Sequence, residues 1–133
     1  MQGMYQESTR AIQVSVEPFY VDAQSAPEQD RFVFGYRIRI TNRGTETVRL
    51  LRRHWRITDG FGRTTEVRGA GVVGKQPVLA PGESFEYTSG APLPTPSGIM
   101  VGSYHMETSA GEPFEVAIPA FSLDAPGRSP ALN

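Results

Sequence analysis

The sequence predicts an all-β fold: an immunoglobulin- or fibronectin type III-like sandwich of about seven or more antiparallel strands. Three observations lead to this prediction. Apolar and polar residues alternate along most of the chain, clusters of Gly, Pro, Asn and Asp separate the alternating segments, and no stretch of ten residues carries a helical apolar repeat free of proline and glycine. Short strands at regular spacing, joined by turn residues, are typical of a β-sandwich.

The clearest predicted strand runs from Phe32 to Ile40, where every second residue is aromatic or isoleucine. A period of two places one face of a strand on a core and the opposite face in water. The same alternation marks further strands at residues 12–17, 85–88, 100–107 and 114–118, and Pro119 interrupts the last ladder. The expected hairpin connections contain Asn42-Arg43-Gly44, Asp59-Gly60-Phe61-Gly62, Pro81-Gly82 and Ala110-Gly111.

The third predicted strand, around Trp55, is less regular. Leu51, Trp55 and Ile57 share one face, but Arg53 places a charge on that face. A β-bulge near Arg52-Arg53 is one explanation, because one extra residue sends every later side chain to the other face. The alternative is that Arg53 pairs with a carboxylate on a neighbouring strand. Trp55 is predicted to anchor the core, as large aromatic residues in central sandwich strands do.

A chain of 133 residues is predicted to form one domain, which we expect to span residues 10–126. Residues 1–9 and 127–133 are predicted to be flexible tails, the second being polar and proline-rich. The absence of cysteine excludes disulfides, thiolate metal sites and cysteine nucleophiles. No apolar run approaches the ~20 residues that span a bilayer, and the first ten residues lack the pattern of a secretion signal. We therefore expect a cytoplasmic protein without a cofactor and without membrane contact.

Charge is unevenly distributed along the chain, although the formal net charge is −1. Residues 37–68 contain nine arginines against three acidic residues, and the rest of the chain has an excess of acids. Arginine pairs with phosphate and carboxylate through two parallel hydrogen bonds, so this segment could meet an anionic partner. The alternative is that alternating strands place arginine on their solvent faces beside acidic strands. Nucleic acid is not expected as a partner, because the chain is slightly acidic overall and carries no recognised nucleic-acid-binding motif.

Gly69, Gly71 and Gly74 form a G-x-G-x-x-G pattern, the spacing that holds a pyrophosphate where a strand leads directly into a helix. Here Pro77 and Pro81 follow too closely for a helix to form, because proline removes a backbone donor and clashes with the preceding turn. The glycines are therefore better explained as a loop between strands.

A loop of this kind can still bind an anion, because successive glycine amides form a concave site without a helix. The candidate phosphate-binding residues are Arg68, Gly69, Gly71, Gly74 and Lys75, with the two cations neutralising the ligand. The alternative is purely structural, since glycines also serve turn geometry and close strand approach. The loop thus predicts at most a weak polyphosphate or nucleotide site.

Four segments closely resemble the ApaG family: RHWRITD at 53–59, GVVGKQP at 71–77, PGESFEYTSG at 81–90 and PSGIMVGSYHM at 96–106. The resemblance extends over about residues 10–126. It implies an immunoglobulin- or fibronectin-like sandwich, an indirect association with cobalt resistance and magnesium efflux, and use as a protein-binding module. It supplies no catalytic residues and no cofactor.

The two histidines, His54 and His105, are the residues that would serve catalysis or a transition metal. They lie 51 positions apart and belong to no recognised metal or nucleophile motif. Ser103 shares a predicted strand face with His105, which makes them neighbours without making them a catalytic pair. We therefore predict neither an enzyme nor a metal site, and keep hydrolysis as an alternative only if distant strands assemble a site.

The predicted function is that of a non-enzymatic adaptor, whose partner is another protein or a second copy of the chain. Contact is expected through an edge strand, which carries unpaired backbone groups, or through the proline-rich loop at residues 91–97. Leu93 in that loop either anchors a partner or plugs the end of the sandwich. The alternative function is a polyphosphate sensor that uses the glycine loop.

Overall fold

The structure, a computed structural model, describes residues 3–127. Two antiparallel β-sheets face each other, which confirms the predicted sandwich. Nine strands build them: β1 (Tyr5–Thr9), β2 (Ile12–Tyr20), β3 (Phe32–Asn42), β4 (Val48–Asp59), β5 (Thr64–Ala70), β6 (Val78–Leu79), β7 (Ser84–Leu93), β8 (Ser97–Thr108) and β9 (Pro113–Asp124). Two single-turn 3₁₀ helices, Asp22–Gln24 and Pro27–Gln29, lie between β2 and β3. No helix within residues 3–127 is long and apolar enough to cross a membrane.

The strand order gives each sheet two different edges. One sheet runs β1-β2-β3-β7, and the other runs β5-β4-β8-β9 with the short β6 paired to β4. All of these pairings are antiparallel. β4 and β8 are therefore the central strands of the second sheet, and their outward side chains have neighbours on both sides.

The core lies between the inner faces of the two sheets. Trp55 is 2% exposed, which confirms its predicted place in the core. Its ring contacts those of Tyr36 and Phe121, with centroid distances of 5.4 and 5.9 Å. The hydroxyls of Tyr87 and Tyr104 form a buried hydrogen bond of 2.5 Å, so each polar tip has a partner inside the core. Burial raises the pKa of both tyrosines, which keeps them neutral.

β4 contains the predicted bulge, one residue earlier than expected. The pairing of β4 with β8 shifts between Leu50 and Arg52, which leaves Leu51 as the extra residue. Leu50, at 1% exposure, takes the core position that we expected for Leu51. The bulge does not remove Arg53 from the face of Trp55, so both residues still point between the sheets.

Among residues 3–127 Arg53 pairs with no carboxylate, so the expected ion pair with a neighbouring strand is wrong. Its guanidinium donates hydrogen bonds to the carbonyl oxygens of Ala70 and Gly71, at 3.2 and 3.0 Å. A Cβ added at Gly69 would lie 2.7 Å from the same guanidinium, so the arginine lies against the backbone of β5. Arg53 thereby fastens the end of β5 to β4 from inside the sandwich.

The predicted flexible tail at residues 1–9 is wrong for Tyr5–Thr9, which form β1. This strand pairs with β2 and also packs against β9 of the opposite sheet, where Thr9 Oγ1 accepts a hydrogen bond from the Ala117 amide at 3.2 Å. The Tyr5 ring lies 6.1 Å from that of Phe121. Cross-sheet packing thus orders a mostly polar segment and closes this side of the sandwich. The predicted tail at 127–133 lies outside the described residues except for Gly127.

The opposite side of the sandwich is open. There β5 and β7, each an edge strand, are separated by a cleft of about 420 Å³. The cleft floor is largely apolar and includes Trp55, Ile57 and Leu93.

Candidate anion-binding face

The outer face of the sheet β5-β4-β8-β9 carries an unusual set of cations. Alternation fixes which side chains point outward, because Trp55 and Tyr104 point into the core. We call the outward cluster the basic face and define it by five residues: Arg52, His54, Arg68, Ser103 and His105.

The strand register places these five residues in two adjacent rows. In the first row His54 lies between Arg68 on β5 and Ser103 on β8. In the second row Arg52 lies opposite His105 on β8. Directly opposed residues have Cβ atoms roughly 5 Å apart, so each row is a set of side-chain neighbours. The structure therefore brings together two histidines that are 51 positions apart in the sequence.

The two rows line a shallow groove of about 590 Å³. On the outer face its walls carry Arg52, Arg68 and the two histidines against one glutamate, Glu115, and the guanidinium of Arg53 adjoins it from the inner side of β4. His54 and His105 are each about one-third exposed, at 33% and 32%, so both rings remain accessible from solvent. The excess of cationic and hydrogen-bond-donating groups makes the groove electropositive.

Glu66 on β5 is the acid that lies closest to the first row. One of its oxygens, Oε1, lies 2.7 Å from His54 Nε2 and 3.3 Å from Arg68 Nη2. The hydrogen bond with His54, followed by the charges of Arg68 and nearby groups, lowers the pKa of this carboxyl. A carboxylate therefore already occupies the point where the imidazole and the guanidinium converge.

The cations of the second row have fewer close acidic partners than those of the first. His105 Nδ1 lies 4.0 Å from Glu115 Oε1, at the limit of an ion pair. Arg52 has no acidic group within 4 Å among residues 3–127. This arginine is exposed and is directed along the same face as the imidazoles.

The chemistry of this arrangement favours binding an anion. Guanidinium, imidazole and hydroxyl groups all donate hydrogen bonds to oxyanions, and arginine does so with two parallel bonds. Within the described residues Ser103 and His54 face each other without a hydrogen bond, so the pair that would activate a serine nucleophile is not formed. Residues 3–127 also contain no group of three or more acidic or histidine side chains placed to hold a metal ion.

The glycine pattern forms a hairpin turn and contributes to the groove only at one end. The amides of Gly71 and Lys75 already donate to the carbonyls of Leu51 and Val72, at 2.8 and 2.9 Å. The Val72 amide donates to Lys75 at 2.8 Å, which closes the turn. Three amides of the loop are therefore engaged by carbonyl oxygens, which favours the structural explanation.

Positive φ angles of 62° and 79° explain why the turn needs Gly71 and Gly74. Of the five predicted phosphate-binding residues, Arg68 and Gly69 line the groove, while Gly71, Gly74 and Lys75 do not. The groove shares Arg68 with the predicted set and adds Arg52, Ser103 and both histidines, which the sequence did not group together. The missing information was the pairing of β4 with β8, which alternation alone does not supply.

The proline-rich loop at residues 91–97 is held rigidly in place. Leu93 is 5% exposed, so it plugs the end of the sandwich and is not available as an anchor. Thr95 Oγ1 accepts a hydrogen bond from the Gly60 amide and donates one to the Ser97 carbonyl, both at 2.8 Å. The loop is therefore part of the framework that supports the end of the cleft.

Known proteins resemble this chain along nearly its whole length. The ApaG domain model matches residues 22–108. Protein ApaG of Paramagnetospirillum magneticum is 62% identical over 130 residues, which cover 98% of this chain and 100% of that protein. Protein ApaG of Rhodospirillum centenum is 66% identical over 127 residues, which cover 95% of this chain and 98% of that protein.

Solved structures agree with this assignment. The crystal structure of the ApaA protein from Bordetella pertussis superposes with a TM-score of 0.85 at 56% identity, covering 88% of this chain and 95% of that chain. The C-terminal domain of Wzt shares the fold alone, with a TM-score of 0.54 at 8% identity and coverage of 95% and 80%. The sandwich, the sequence motifs and these matches lead to one conclusion: the chain belongs to the ApaG family.

Proposed function

We propose that the protein is a non-enzymatic binding module that holds an anionic group of its ligand on the basic face. The observation that carries this proposal is the two-row arrangement, in which His54 and Arg68 share the Glu66 carboxylate and Arg52 lies opposite His105 in the adjacent row. Within the described part of the chain Arg52 has no acidic group within 4 Å, so its charge is available to an anion.

The shape of the groove favours a particular kind of ligand. Sites for small molecules are concave and bury most of the ligand surface. This groove is shallow and lies on a sheet face, so it suits one charged group that projects from a larger partner. An anionic group on a protein partner fits both this shape and the adaptor function expected from the sequence.

The open side of the sandwich supports a protein partner independently. β5 carries Arg68 on the basic face and also has a free backbone edge within residues 3–127. Extended segments of partner proteins bind such edges by adding a strand. A partner strand along β5 would run directly beside the first row, so one segment could use both features. The association with cobalt resistance and magnesium efflux remains an expectation from family membership.

The proposal is tested by locating anion binding on the protein. Amide resonances are followed by NMR while inorganic pyrophosphate is added at constant ionic strength. We expect saturable shifts confined to β4, β5 and β8 around the basic face. Shifts centred on Gly71 to Lys75 would support the glycine-loop sensor, and shifts spread equally over both sheets would reject a specific site.

A turnover assay separates this proposal from the hydrolytic alternative. Inorganic pyrophosphate and a phosphate monoester are incubated with the protein, with magnesium and without it, and phosphate release is measured. We expect no turnover that is sensitive to His54→Ala or His105→Ala. Release that either substitution abolishes would replace the binding function with an enzymatic one.

A further inference from the structure

Glu66 occupies the position that a ligand oxyanion would take. Its Oε1 is the shared acceptor of His54 Nε2 at 2.7 Å and Arg68 Nη2 at 3.3 Å. Both donors belong to the first row of the basic face, and Glu66 reaches them from the same edge strand as Arg68. The side chain is 48% exposed, so it can rotate away without opening the core.

We propose, building on the proposed function, that the ligand of the basic face is a phosphate monoester dianion that displaces the Glu66 carboxylate. Glu66 then acts as a resident competitor: it neutralises His54 and Arg68 in the free protein and releases them when phosphate arrives. The exchange is a ligand substitution in which no covalent bond changes.

The chemistry of the two rows favours phosphate over a second carboxylate. A ligand carboxylate would only replace Glu66 with an equivalent group, so the new contacts would add little binding free energy to offset the cost of removing the ligand from water. A phosphate monoester carries up to two negative charges and three terminal oxygens. Such a group can keep the bonds to His54 and Arg68 through one oxygen and direct two further oxygens toward Ser103 and Arg52, whereas a carboxylate has only one oxygen left for them.

Several other charged groups lie near the Glu66 carboxylate. Charged groups reach it from β5 (Arg68) and from β4 (His54 and Arg56), and Arg56 contributes to lowering its pKa. In the next row stand Arg52, His105 and Glu115. Glu115 lies beside His105 and does not contact His54 or Arg68. Glu66 is therefore the carboxylate that a ligand would displace from these two donors.

The test compares two substitutions that remove the same charge from the same face. Glu66→Gln removes the resident carboxylate, and Glu107→Gln removes a carboxylate on β8 that lies opposite Arg49, beyond the second row. Binding of phenyl phosphate and of acetate is measured by NMR titration of the full chain at constant ionic strength. We expect Glu66→Gln to tighten phenyl phosphate binding about threefold, in line with the loss of an exposed ion pair. Glu107→Gln should change it less than twofold, since screening weakens distant charges.

A second readout follows the displaced carboxylate itself. The ¹³C shift of the Glu66 side-chain carboxyl is recorded against pH, first without ligand and then with saturating phenyl phosphate. Displacement predicts that phosphate raises the pKa of Glu66 because its two donors are lost. Inorganic phosphate is titrated in parallel: binding equal to that of phenyl phosphate identifies the bare anion as sufficient, while tighter monoester binding shows that the organic part also contacts the face.

The outcomes distinguish the two proposals. If neither pyrophosphate nor phenyl phosphate binds the wild-type protein or Glu66→Gln, the proposed function itself fails. If the wild-type protein binds phosphate on the basic face, but Glu66→Gln binds it equally or more weakly, displacement is wrong and the proposed function stands. Acetate that binds as tightly as phenyl phosphate would overturn the choice of ligand class.

Discussion

The outer faces of the two sheets are both rich in arginine but differ in how those arginines are neutralised. On the sheet β1-β2-β3-β7, Arg37 binds Glu17 at 2.7 Å and Arg39 lies 3.5 Å from Glu86. Arg43 donates to the Gln13 side chain at 2.7 Å. On the basic face of the other sheet, one carboxylate serves both His54 and Arg68, and Arg52 has no acidic neighbour among residues 3–127.

The difference comes from the neighbouring strands. β3 and β4 are similar as sequences, since both place arginines on alternate outward positions. β3 is flanked by β2 and β7, which supply acids in register with Arg37 and Arg39. β4 is flanked by β5 and β8, which place Glu66 opposite Arg56 and Glu107 opposite Arg49, but place Arg68 and Ser103 opposite His54 and His105 opposite Arg52. Whether the arginines of a strand are neutralised is therefore decided by pairing. The solvent-face interpretation of the arginine-rich segment describes β3, and an anionic partner for β4 stays a prediction.

The largest effect on stability is expected at Gly102 of β8, which packs closely against β4. A Cβ at Gly102 would lie 2.4 Å from the His54 carbonyl oxygen and 2.9 Å from the Trp55 ring. Gly102→Ala should therefore lower the free energy of unfolding by about 2–3 kcal/mol, the usual cost of overpacking, and disturb the basic face. Ser103→Ala is the control, because its side chain points outward, and it should change stability by less than about 0.5 kcal/mol. Urea denaturation measures both, and equal stability of the two variants would contradict the prediction.

The next effect concerns Arg53, the arginine of β4 that belongs to neither outer face. Arg53→Met keeps much of the side-chain volume but leaves the carbonyls of Ala70 and Gly71 without their donor. We expect a loss of about 1–2 kcal/mol of stability and faster amide exchange in β5 and in the turn that follows it. Arg37→Met, which breaks an exposed ion pair on the other sheet, should cost less than about 1 kcal/mol. Unchanged exchange in β5 would show that the arginine is not what fastens this strand.

A smaller effect is expected when one cation is removed from each outer face. Arg52→Gln should weaken pyrophosphate binding about tenfold, since a charge-assisted hydrogen bond is worth roughly 1.5–3 kcal/mol before compensation. Arg37→Gln removes the same charge from the neutralised face and should change binding less than twofold. Isothermal titration calorimetry at two salt concentrations measures the affinity and its salt dependence. Equal losses in both variants would mean that only the net charge matters.

The smallest effect is the acid titration of Glu66. Because the folded state lowers the pKa of this carboxyl, its ion pairs add stability above the range where glutamate ordinarily titrates, and that contribution disappears as the pH falls through the folded value. Arg68→Gln should raise the pKa of Glu66, and Arg39→Gln on the other sheet should leave it unchanged. Carboxyl ¹³C shifts recorded against pH report both. A pKa that responds equally to the two substitutions would contradict the contact.

Local patterns predicted the strands well, because alternation is a property of the strand itself. Phe32 to Ile40 and Trp55 lie where the period of two places them. β1 was missed because its middle residues are polar and its order depends on packing against β9, far along the chain.

The candidate site was largely missed for the same physical reason. Its members come from three strands, and their proximity is set by pairings that join residues about 50 positions apart, such as His54 with Ser103. The glycine pattern was visible in the sequence, and the amides of Gly71, Val72 and Lys75 complete a turn, so an anion site in this loop stays a prediction. Sequence spacing predicts which residues are neighbours along one strand, whereas the neighbours on this face are set by the pairing of different strands.

The bulge at Leu51 adds a backbone acceptor to β4 without changing which side chains of the strand face the core. If Leu51 were removed, Leu50 and Trp55 would still face the core and Arg52 and His54 would still face water, because the bulge is what absorbs the extra residue. The Leu51 carbonyl, however, accepts hydrogen bonds from the Gly71 amide at 2.8 Å and from the Gln76 side chain at 2.9 Å. A chain shortened by this one residue would therefore keep the same side chains on the core and solvent faces. It would lose the two hydrogen bonds that hold the following turn against β4.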